Sequence, residues 1–232
     1  MKRAIIISLA LVIAALAGAA LNVSAVEAQT YTTIRPDGRG GQWEFILPII
    51  FTDNATVKGE GGSSVDINSD WGAGFGFGYN INDHFQINGI FSWGYRSYDA
   101  TIVQNDGTTK KYNNSMNTNT IALNGIFYFL KGNVTPFVSG GIGITHIDTN
   151  IPSGTGSTSC WYDPWWGYMC STYTPTKTQD DVSYNAGLGV RWDINRQFSL
   201  QGSYNKMWID IQNASGDMPD FDVYKMEFIF RM

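Results

Sequence analysis

The last eleven residues, Asp222-Val-Tyr-Lys-Met-Glu-Phe-Ile-Phe-Arg-Met232, restrict the fold more than any other stretch. Tyr224, Met226, Phe228, Phe230 and Met232 form an apolar row, and Lys225, Glu227 and Arg231 stand in the row between. Alternation with a period of two makes a strand with one apolar and one polar face. A terminal strand of this kind needs a partner, because an unpaired apolar edge is sticky. Closing a sheet into a barrel removes the edge, so the question for the remaining chain is whether it supplies one.

It does so by alternation and by turn spacing. Seven further stretches alternate: residues 42–51, 70–81, 84–98, 118–130, 136–148, 181–194 and 197–209. The clearest sets Trp71, Ala73, Phe75, Phe77 and Tyr79 against Gly72, Gly74, Gly76, Gly78 and Asn80. Polar connections over 52–69, 99–117, 150–180 and 212–221 read as long loops, whereas Asn82-Asp83, Lys131–Thr135 and Asn195-Arg196 read as short turns. Eight strands with tight turns at one end and long loops at the other fit a transmembrane barrel, although a soluble barrel has a similar strand count.

Side-chain chemistry separates the two. One row is large and apolar, with Trp43, Phe85, Trp192, Phe198 and Phe230 near the short turns and Trp71, Trp93, Tyr95, Tyr204, Trp208 and Tyr224 toward the long loops. Girdles of this kind suit a lipid-facing surface. An eight-stranded interior is only just wide enough to be filled by side chains and has no room for so many large rings. The Gly-, Ser-, Asn- and Gln-rich row is therefore expected inside. Its charges require partners there. Glu44, Arg191, Asp193 and Arg231 are expected as one cluster near the short turns, and Arg96, Lys225 and Glu227 as another, higher one. Lys206 points outward by parity, its ammonium reaching for water at the upper interface.

The N-terminus has a different character. Lys2 and Arg3 precede the apolar stretch 4–21, and small residues follow up to Ala28, the order of a secretory signal cleaved after Ala25 or Ala28. The division is then a signal peptide over 1–28, an irregular periplasmic lead over 29–41 and a barrel over 42–232. A net charge of −5 with no basic run in the mature region gives no footprint for nucleic acid.

These residues resemble the small eight-stranded outer-membrane β-barrel family that includes the OmpA transmembrane barrel, OmpX and OmpW. The resemblance spans residues 42–232 and rests on the strand plan, on Thr135-Pro-Phe-Val-Ser-Gly-Gly-Ile-Gly143 and on the terminal alternation. It implies an all-β antiparallel up-and-down barrel in the outer membrane of a Gram-negative cell, with long loops outside and termini in the periplasm. Its implied partners are membrane lipid, lipopolysaccharide and the barrel-assembly machinery, which reads the C-terminal row Tyr224, Phe228, Phe230 and Met232. Relatives commonly end on Phe or Trp, whereas this chain ends on Met232. No peptidoglycan-binding domain is expected after the last strand.

Two features bear on function. Cys160 and Cys170 bracket Trp161, Tyr162, Trp165, Trp166 and Tyr168. In an exported chain the pair most simply forms a disulfide, since two thiols without a nearby His make only half a metal site. The rings inside either pack on each other and the barrel rim or form an exposed patch for a surface ligand of unspecified kind. The interior glycines either make room for Tyr98, Tyr128 and Phe137 or leave a path. The expected role is structural or surface-interacting through the long loops, with OmpW-like passage or binding of small hydrophobic molecules as the alternative. His84 and His146 fall at opposite ends of the barrel and no Ser–His–acid set is apparent, so neither catalysis nor a cofactor or metal is expected, and a lipid-modifying enzyme is the minor alternative.

Overall fold

The computed structural model describes residues 38–58, 62–103, 108–210 and 218–232. The signal segment 1–28, its two cleavage sites and the lead up to residue 37 lie outside them. The described chain has twelve strands: β1 (Trp43–Thr52), β2 (Ala55–Lys58), β3 (Ser64–Ile67), β4 (Asp70–Asn80), β5 (Phe85–Val103), β6 (Thr109–Tyr128), β7 (Val134–Pro152), β8 (Ser157–Asp163), β9 (Gly167–Tyr173), β10 (Thr176–Asp193), β11 (Phe198–Ile209) and β12 (Asp220–Arg231).

Eight of these close a barrel. β1, β4, β5, β6, β7, β10, β11 and β12 pair antiparallel in that order, and β12 returns to β1 from Glu44↔Arg231 to Thr52↔Val223. The C-terminal strand thus forms the seam with the first. Along β12, Phe221, Val223, Glu227 and Ile229 are buried while Met226, Phe230 and Met232 are exposed. That parity continues around the barrel, with Trp43, Trp71, Trp93, Leu123, Ile142, Leu188 and Trp192 outward and Glu44, Gln86, Asn124, Arg191 and Gln201 inward. Each strand is therefore held twice, by its hydrogen-bonded ladder and by the sorting of large apolar from small or polar groups.

Three expected loops contain strand. Residues 99–117 largely continue β5 and β6, in register from Asp99↔Asn113 to Val103↔Thr109. Residues 52–69 contain the β2–β3 hairpin, whose second strand adds to β5. Within 150–180, β8 and β9 form a separate two-stranded sheet. Most side chains in β8, β9 and the upper part of β6 are exposed. With no lipid on one side and no packed lumen on the other, nothing selects apolar residues at every second position, so the alternation stops before the strands do.

Candidate functional site: the lumen

The lumen is built in three tiers. The lowest lies over the short turns, where inward positions of β1, β5, β6, β10 and β11 converge. Arg191 Nη1 and Nη2 donate to Glu44 Oε2 and Oε1 at 2.9 and 2.6 Å, and its Nε donates to Asp193 Oδ1 at 2.9 Å. Arg191 Nη1 also donates to the Tyr128 hydroxyl at 3.0 Å, which donates to Gln86 Oε1 at 2.9 Å. Gln86 Nε2 then donates to Glu44 Oε2 at 2.6 Å, closing the ring. Ser199 Oγ donates to Asp193 Oδ1 at 2.5 Å. Arg231 stands further off, with Nη2 at 3.7 Å from Glu44 and 3.9 Å from Asp193. The fork of Arg191 meets a carboxylate with two parallel bonds, the geometry in which guanidinium surpasses ammonium.

One member of this tier is absent from the sequence-based expectation. Arg39 is 1% exposed, with Nη2 donating to Thr135 Oγ1 at 2.6 Å and to Gly132 O at 2.9 Å, lying 3.2 Å from Asp193 Oδ2. Its guanidinium also lies over the Tyr128 ring, 4.6 Å from the centroid. The segment 38–41, expected to be irregular, docks under the barrel. Arg39 N and Gly40 N donate to Asp83 Oδ1 at 2.7 and 3.3 Å, and Gly41 N donates to Asn80 O. Gly38 and Gly41 have φ of 71° and 77°, values that disfavour other residues. The bonds to Arg39 N–H and then Gly40 N–H, with Lys131 nearby, hold the Asp83 carboxyl below its ordinary value despite partial desolvation. The available signal was the Gly-Arg-Gly-Gly run, in which a lone cation sits among residues that allow a sharp approach.

The middle tier is a belt of amides. Asn124 Nδ2 donates to Asn88 Oδ1 at 2.8 Å, Asn185 Nδ2 to Asn124 Oδ1 at 2.9 Å, and Asn205 Nδ2 to Ser203 Oγ at 2.9 Å. Gln201 Nε2 donates to Glu227 Oε2 at 2.6 Å beside them. The glycines of the facing strands make this layer fit. A Cβ on Gly141 would stand 2.1 Å from Asn124 Oδ1, and one on Gly187 2.1 Å from Asn205 Oδ1. Lower down, a Cβ on Gly189 would stand 2.5 Å from the Phe137 ring. These glycines make room for neighbours. A void of about 20 Å3, room for one water molecule, lies between the amides and Glu227.

Above the belt the lumen widens into a cup of about 450 Å3. Asn124, Asn185, Asn205 and Lys225 are at its floor, and it opens past Lys58, Thr101 and Ile151 at the long-loop end. Its wall is apolar, built on Ile67, Tyr98, Met116, Ile209, Phe221 and Val223 with Ile50, Ile147 and Met207 packed against them. The size falls in the range of small-molecule sites.

The structure brings Glu44, Arg191, Asp193 and Arg231 together but does not unite Arg96, Lys225 and Glu227. Arg96 donates to Thr52 Oγ1 at 3.0 Å and faces the Phe221 ring at 5.5 Å, while Glu227 is held by Gln201. Among the described residues Lys225 has no carboxylate within ion-pair distance. Lys225 and Glu227 stand two positions apart on one face of β12 with only Met226 between them, but Gln201 engages Glu227 and Arg96 turns to Thr52, so the expected upper cluster does not form. Lys206 points outward and pairs with Asp220 and Asp222 at 2.5 and 3.4 Å.

The remaining candidates lie outside the lumen. Cys160 and Cys170 are register partners of β8 and β9 and are disulfide-bonded. Trp165 and Trp166 at the hairpin turn are 85% and 79% exposed, and Tyr162 and Tyr168 are exposed as well, so these rings do not pack on the rim. Trp161 is also exposed. Of the C-terminal row, Phe230 and Met232 are exposed on the outer surface, with Phe230 against Phe198 at 5.3 Å; Tyr224 and Phe228 share that face. His84 Nδ1 lies 2.8 Å from the Tyr128 carbonyl and His146 Nδ1 lies 2.7 Å from Asp180, at opposite ends of the barrel.

A family model described as the outer membrane protein β-barrel domain matches residues 9–228. No curated protein sequence matches the chain. Among solved structures, the outer membrane protein OprG of Pseudomonas aeruginosa is 14% identical over 84% of this chain and 97% of its own, with a TM-score of 0.52. The N-terminal barrel of OprF from the same organism is 15% identical over 82% and 99%, at 0.43. Neisserial surface protein A is 12% identical over 82% and 96%, at 0.45.

Proposed function

The chain belongs to the outer membrane β-barrel domain family and resides in the outer membrane, and from that premise we propose that it takes up small hydrophobic molecules from the external face into its upper lumen. The observation that carries this reading is the apolar cup, open at the long-loop end and floored by amides above an ion-paired tier. A lumen serving only as filler would be packed throughout, as the lower half is. An apolar wall in an otherwise polar interior instead favours solutes that leave water readily. Barrels in phospholipid nanodiscs, exposed to a neutral photoreactive alkyl probe, test it. Labelling is expected on Met116, Met207 and Phe221, with most of it lost in Ile147→Trp, where the indole fills the cup. Labelling confined to outward residues, or unchanged in Ile147→Trp, contradicts it.

The exposed aromatic hairpin supports a second role, contact with a surface ligand outside the cell. Amphipathic rings on a cross-linked hairpin offer a large contact area at small entropic cost. Loss of cell-surface adhesion on replacing both Trp165 and Trp166 by Ser, with barrel content unchanged by circular dichroism, is the expected result.

A further inference from the structure

The cup carries charge of one predominant sign. Its charged lining residues are Lys58, Asp70, Arg96 and Lys225, three cations and one carboxylate. Lys58 stands toward the mouth, Asp70 is the register partner of Thr52, and Arg96 is occupied at that level by Thr52 Oγ1 and by the Phe221 face. Lys225 differs. It sits at the floor, in register with Ile50 on one side and Ser203 on the other, beside the Asn185 and Asn205 amides. Thr52, which holds Arg96, lies two residues further along β1 than Ile50, the register partner of Lys225. Below, Glu227 is already hydrogen-bonded to Gln201. Buried Asp181, on β10, accepts from Gln179 at 2.7 Å and is not part of the lining.

A floor with an ammonium and two amides, beneath a wall of Ile147, Met116, Met207, Phe221 and Val223, is polar at one end and apolar along its length. We propose that the cup binds single-tailed amphiphiles with an anionic headgroup, such as a medium-chain carboxylate, head down on Lys225 and tail toward the mouth. The inference rests on reading the cup as a binding site and adds the headgroup charge. An ammonium in a narrow lumen gains more from a bound anion than from water, and a neutral headgroup cannot supply that gain.

Photoreactive dodecanoate and photoreactive dodecanol, each added to barrels in zwitterionic nanodiscs and mapped by mass spectrometry, separate the readings. The carboxylate is expected to label the cup about tenfold more strongly than the alcohol, as a charged hydrogen bond implies. Lys225→Gln should remove that preference and Lys225→Arg should keep it. Equal labelling by the two probes, or a preference that survives Lys225→Gln, overturns the assignment while leaving the cup as a site for hydrophobic molecules. Absence of both probes from the cup overturns it together with the proposed function. Should Lys225→Gln not fold, the comparison of the two probes on the native chain still decides.

Discussion

Arg191 joins four strands' worth of lumen through its side chain, so its removal should do more than delete one bond. Arg191→Met leaves Glu44 and Asp193 buried with their main counter-charge gone, and losing one partner of a buried pair costs about 3–5 kcal/mol. Urea unfolding of the refolded barrel measures this. Glu44→Gln in the same chain should recover part of the loss, because the buried charge is then removed as well. A second residue, Asp83, gives a pH dependence of known sign. Its folded value lies below the ordinary one, so the docking of 38–41 is fully stabilised above the ordinary carboxylate range and is lost as pH falls through the depressed value. Hydrogen exchange at the Arg39 and Gly40 amides should therefore keep its protection to a lower pH than free aspartate titrates. Loss at or above that ordinary value contradicts the role given to Asp83.

At the level of elements, glycine placement is a structural demand of the amide belt. Gly141→Ala should destabilise the barrel by about 1–3 kcal/mol, since the added Cβ meets both the Asn124 amide and the Leu123 carbonyl, at 2.1 and 2.6 Å. The β8–β9 hairpin behaves differently, because it pairs with no barrel strand. A lone two-stranded hairpin is marginal in water. Reduction of Cys160–Cys170 should therefore release the amides of 157–173 to exchange while leaving global unfolding in place; a joint loss of both contradicts that independence. The same contrast explains what was legible in the sequence. Strands bounded by lipid outside and a packed lumen inside, such as β4 with its Trp71–Tyr79 row against glycines, declare both existence and facing. The extension Thr109–Asn113 is exposed throughout, and no chemistry distinguishes its faces. Lower-tier charges could be grouped by counting depth along the strands. The separation of Lys225 from Glu227 could not, because it depends on the Gln201 amide reaching one of them. Arg39 was hidden for a different reason, since it belongs to no strand.

At the scale of the whole molecule, the barrel is packed below and open above. The girdles of Trp43, Phe85 and Trp192 at one end and Trp71, Trp93 and Tyr95 at the other fix it in the bilayer, and the ion-paired tier with Arg39 across it closes the periplasmic half. This division is tested most directly by single cysteines placed at two depths, with the native pair already joined as a disulfide. Ile147→Cys lies on the cup wall and Gln201→Cys lies beneath the amide belt. With a small water-soluble thiol reagent added from the long-loop side, the account predicts rapid labelling of Ile147→Cys and none of Gln201→Cys. Labelling of both at similar rates would show a continuous aqueous channel, and labelling of neither a closed mouth; either result contradicts it.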